Sequence, residues 1–117
     1  MYSLVEKEKL LEPHIKQTVL ACRDAIRAKY PTAKIVLYGS QARMQAGLES
    51  DMDLLVLLDE DIAPAKRHII HDILYEIGLA EDIVISTIVR SYQGWNSPIS
   101  QATPLYKVIH QEGIQVA

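Results

Sequence analysis

Residues 52–58 read Met-Asp-Leu-Leu-Val-Leu-Leu. Successive strand residues face opposite sides of a sheet, so this run shows Met52, Leu54, Val56 and Leu58 on one face and Asp53, Leu55 and Leu57 on the other. Beyond the aspartate both faces are apolar, and a strand of that kind sits centrally in a covered sheet. Two further runs supply neighbours: Lys34–Tyr38, and the β-branched stretch Ile83–Val89. Between and before them lie helical patterns. From Pro13, a first-turn proline, the apolar residues Leu11, Ile15, Val19, Cys22, Ile26 and Tyr30 recur at helical spacing until Pro31 stops them. Pro64 opens a helix of about fifteen residues that turns Ile69, Ile70, Ile73, Leu74 and Ile77 inward and closes near Gly78.

The flanks are read more coarsely. Ser3 caps a helix over Leu4–Leu11, and His14 lies off the apolar stripe, at the surface. Thr103-Pro104 starts a helix with Leu105, Val108 and Ile109 inward and Gly113 as its stop, followed by a short strand at Ile114–Val116. Tyr92 and Trp95 cover an edge of the core. The expectation is one α/β domain over residues 1–117, of two layers, with a mixed three- to four-stranded sheet and flanking helices. So few helices predict that part of the second sheet face stays open as a docking surface, unless the C-terminal segment folds back over it.

The chemistry sits where the apolar runs break. Asp51 and Asp53 project from the same face at the start of their strand. Two carboxylates that close repel, and one pKa rises unless a cation neutralises them. Mg²⁺ prefers carboxylate oxygens, with substrate phosphates completing its shell. Ten residues earlier the first strand ends in Gly39-Ser40. Glycine permits a sharp turn and close approach of a ligand to the backbone, and residues 40–45 read as a short helix whose free N–H groups suit phosphate. Ser40 adds a hydroxyl and Arg43 a planar cation. Gly47 ends this helix or bends the loop after it. A phosphate cradle beside paired carboxylates describes a nucleoside triphosphate site.

Joined as Gly-Ser, ten residues, Asp-x-Asp, each on its own apolar run, the pattern resembles the DNA polymerase β-like nucleotidyltransferase superfamily, and within it the minimal nucleotidyltransferases. The residues carrying the resemblance are Gly39, Ser40, Ala42, Arg43, Asp51, Asp53 and Leu54-Leu55-Val56, within a core motif spanning 34–90. Many relatives have glycine after the arginine; this chain has Met44. The resemblance implies a third carboxylate at the start of a neighbouring strand. Asp82 matches it, with Glu81 as the alternative. It would accept the acceptor's proton or help hold the metal.

Composition excludes other classes. No apolar run approaches the roughly 20 residues of a membrane span, and the charged N-terminus lacks a signal-peptide core. The single Cys22 forms no internal disulfide, which fits a reducing cytoplasm, and it falls on the buried stripe. A net charge of −3 gives no bulk electrostatic case for nucleic acid. Asp59-Glu60-Asp61 reads as a solvated loop, and His68 and His71 as exposed, without the further ligands of a zinc set.

The resemblance implies nucleotidyl transfer with ATP as donor and two Mg²⁺ ions bound by Asp51 and Asp53. Larger superfamily members carry a substrate domain that this chain lacks. Small proteins of this type resemble antitoxins paired with HEPN-domain toxins, which implies AMP transfer to a tyrosine of the toxin within a hetero-oligomer. The alternatives are an antitoxin that masks its partner without chemistry, and a nucleotidyltransferase acting on a small molecule.

Overall fold

In the computed structural model, which describes residues 1–44 and 51–117, the run 52–58 takes the internal place its two apolar faces demand. It forms β3 (Met52–Leu58), hydrogen-bonded on one side to β2 (Lys34–Tyr38), antiparallel, and on the other to β4 (Ile85–Ser91), parallel. Short strands β1 (Tyr2–Ser3) and β5 (Ile114–Gln115) complete a five-stranded mixed sheet of order β1-β5-β2-β3-β4. The strand beyond the expected three or four is β1, two residues paired parallel with β5. So short a segment has no side-chain period to read.

One face of the sheet carries the main helical layer, α2 (Pro13–Lys29) and α4 (Pro64–Glu81). Ile15, Val19, Cys22 and Ile26 of α2 and Ile70 and Leu74 of α4 are buried against Ile35, Leu37, Met52, Leu54, Val56 and Leu58. Cys22 is a core thiol, and burial pushes its pKa up to about 12. His14 stays at the surface, its side chain 40% exposed. Its Nε2 donates to the Glu81 carbonyl over 2.7 Å, tying the start of α2 to the end of α4.

Two helices end elsewhere than their sequence signals suggest. Ser3 forms the capping box with Glu6, yet α1 spans only Leu4–Lys7. The helix α4 runs past Gly78 to Glu81. Gly78 is needed for close packing rather than for a stop: a Cβ there would lie 2.5 Å from the Ile83 carbonyl oxygen. The residue that ends the helix in the left-handed region is Asp82, at φ +55°.

The other face is closed by the C-terminal segment, so the expected opening around Tyr92 and Trp95 is not found. After α5 (Tyr92–Trp95) and α6 (Pro98–Gln101), α7 (Pro104–Glu112) brings Ile109 and Tyr106 against Val36, Leu55, Leu57 and Trp95. Thr103 caps α7 as expected by accepting from the Tyr106 amide. Leu105 and Val108, expected inward, are exposed. Among the described residues no helix is long and apolar enough to cross a membrane.

Candidate active site

Antiparallel pairing of β2 and β3 brings the two halves of the motif together. The last residue of β2, Tyr38, lies opposite Asp53 near the start of β3. The turn that leaves β2 therefore lands beside the carboxylates, although ten residues separate the motifs in sequence. Gly39 makes this possible. Its φ is +76°, and a Cβ at that position would stand 2.3 Å from Asp53 Oδ2. Only a residue without a side chain turns there with the carboxylate in place.

From Gly39 the chain enters α3 (Gly39–Ala42), which starts one residue earlier than the sequence suggested and is shorter. Ser40 lies in its first turn, partly buried, while Gln41 and Ala42 are buried beneath. Arg43 caps its C-terminal end, and Met44 follows at φ +55°. The residue that departs from the family's glycine thus occupies a backbone conformation that glycine adopts without cost. Gly47 and the loop expected there lie outside the described residues.

Electrostatics link these groups. Asp53 is partly buried, and loss of solvent raises its pKa, with the Asp51 carboxylate adding and Arg43 opposing. Asp51 is exposed just before the strand. Tyr38, the in-register neighbour of Asp53, has its phenol pKa raised by burial and then by Asp53. Arg43 also reaches the end of α7, where its Nη1 lies 3.2 Å from Glu112 Oε2. The arginine stands between two carboxylate environments.

Asp82 is placed differently. It is the exposed C-cap of α4, three residues before β4 begins. The β4 residue in register with Asp53, on the same face, is Ser86. Among the described residues no three His, Cys, Asp or Glu side chains converge as a metal set, so Asp82 does not join Asp51 and Asp53 in one cluster. Glu81 belongs to the helix end as well, its carboxylate 3.7 Å from His14 Nδ1. Both acids were expected to open a strand, but α4 continues far enough to claim them. Tyr38 and Ser86, which flank Asp53, escaped the sequence reading because only strand register reveals them.

The donor set suits a hard divalent ion bound together with phosphate. It offers two carboxylates on one side, a hydroxyl on the next turn, and a backbone turn with no Cβ in the way. The Asp53 pKa is raised first by burial and then by the Asp51 carboxylate, and a cation bound there would oppose both.

Residues 19–113 match the family model described as a nucleotidyltransferase domain. No curated protein matches the chain.

Proposed function

Because the chain belongs to the nucleotidyltransferase domain family, we propose that it transfers AMP from ATP to a hydroxyl of a partner protein. The acceptor in this reading is a tyrosine of a HEPN-domain toxin, which the modification silences. The observation that supports nucleotidyl transfer is the Gly39 turn pressed against Asp53, which brings the turn assigned here to phosphate beside the carboxylate assigned here to the metal.

Asp51 and Asp53 would hold Mg²⁺, two ions with the triphosphate, which supplies charge stabilisation at the phosphates and lowers the pKa of the acceptor hydroxyl. The Ser40 hydroxyl and the amides opening α3 hold the β- and γ-phosphates. Arg43 adds positive charge there, and Glu112 limits how far it swings. Asp82 orients the acceptor hydroxyl from the rim of the site. The acceptor oxygen bonds to the α-phosphorus as the bond to pyrophosphate breaks, and the hydroxyl proton passes to Asp82.

The test is incubation of the protein with α-labelled ATP, Mg²⁺ and a candidate HEPN partner. Label on the partner, abolished by Asp53→Asn and by tyrosine substitution in the partner, is the expected result. Tight binding without label would replace the reading by simple masking. Label on a free small molecule in the absence of any protein acceptor would replace it by a small-molecule transferase.

A further inference from the structure

Among the described residues the sheet ends at β4, which pairs only with β3. The Val84 carbonyl accepts from the Met52 amide. Alternation along the strand therefore turns the backbone groups of Ile85, Thr87 and Val89 to the outer edge. The Val89 carbonyl is satisfied there by Arg67 and Arg90 at 3.1 and 3.0 Å. Among the described residues Ile85 and Thr87 meet no strand other than β3. Beside this edge, between β4 and α4, lies a groove of about 450 Å³ lined by Tyr75, Leu79, Val84 and Thr87, among others. Tyr75, Leu79 and Val84 are 64%, 61% and 66% exposed. An uncovered strand edge flanked by exposed apolar side chains is a pairing template that proteins normally blunt.

We propose that this edge pairs antiparallel with β4 of a second copy of the chain, about a twofold axis at Thr87, giving a dimer with one continuous sheet. Two observations select a second copy. Among the described residues Thr87 Oγ1 is the buried side-chain oxygen without a hydrogen-bond partner. On the twofold it faces its own equivalent, and a χ1 rotation lets the two hydroxyls bond as cross-strand threonine pairs do.

The helices agree. Arg67 near the start of α4 meets Val89, and Gly78 near its end accepts from the Ile83 amide, so α4 runs opposite to β4. Midway between those contacts are His71 and Asp72, adjacent and both lining the groove. The same twofold then opposes His71 of one copy to Asp72 of the other, and buries Tyr75 and Leu79 between the two α4 helices.

Light scattering on the eluting protein reads the mass directly. Twice the 13.2 kDa chain mass is expected, falling to the single mass in Tyr75→Arg/Leu79→Arg. Those side chains are exposed in the single chain, so the variant should keep the wild-type circular dichroism spectrum and a cooperative melt, with a midpoint lowered by the lost dimer linkage. Thr87→Cys gives an independent reading. Under oxidation it should yield a covalent dimer, while the wild-type chain, whose Cys22 is buried, yields none. A wild-type chain that is monomeric at every concentration overturns the proposal. So does a dimer that survives the double substitution, or a Thr87→Cys dimer that never cross-links. None of these readouts requires nucleotide or transfer activity.

Discussion

Replacing Gly39 by alanine tests the junction between the turn and the carboxylate. Two effects separate in that variant. The backbone at φ +76° charges an L-residue about 1–2 kcal/mol. The new methyl would also lie 2.3 Å from Asp53 Oδ2, but 3.4 Å from Asp53 Cβ. The overlap is therefore with the end of a side chain, and rotation of the carboxylate relieves it without moving β3. Stability should fall by only about 1–2 kcal/mol, while the carboxylate leaves the position in which it meets a cation. Removing one charge-assisted interaction costs roughly 1.5–3 kcal/mol, or about ten- to a hundredfold in affinity. Denaturant titration reads the first effect, and calorimetric titration of Mg²⁺ with a non-hydrolysable ATP analogue reads the second. A variant that loses stability yet binds the Mg²⁺–nucleotide as tightly as wild type would refute the reasoning.

Four further outcomes are expected. Asp53 has a raised folded-state pKa, so the stability it contributes is present below the unfolded carboxylate pKa and is lost as pH rises through the folded value. Asp53→Asn should therefore be more stable than wild type at neutral pH, with the gain vanishing in acid and transfer abolished throughout; thermal melts across pH decide it. Met44→Gly, at φ +55°, should stabilise by up to about 1 kcal/mol in denaturant titration, the relief of strain being partly offset by added unfolded-state entropy. Asp82→Gly, also at φ +55°, should gain a similar amount while lowering transfer without changing ATP affinity; unchanged transfer would leave Asp82 as a helix cap only. Arg43→Ala should raise the Asp53 pKa further, read by carboxylate NMR titration, at a stability cost below about 1 kcal/mol, because its pair with Glu112 is solvent-exposed.

What the sequence by itself determined is local or periodic. The two apolar faces of 52–58 dictate an internal strand, the stripe from Leu11 to Ile26 dictates a buried helix, and Gly39-Ser40 with Asp51 and Asp53 announces the candidate site. Each of these follows from side-chain period or from a backbone conformation that one residue type permits. Pairing and termination were decided in three dimensions. Asp82 reads as a strand entrance because it precedes a β-branched run, but Gly78 lets α4 pack closely against Ile83 and continue, so the acid becomes a cap. Tyr38 and Ser86 flank Asp53 through the register of three strands, which hydrogen bonding sets between segments far apart in sequence. The second face closes because Trp95 of α5 and Tyr106 and Ile109 of α7, both short and weakly patterned, converge on Val36, Leu55 and Leu57. Local propensity carries no record of such convergence; burial of shared apolar surface produces it.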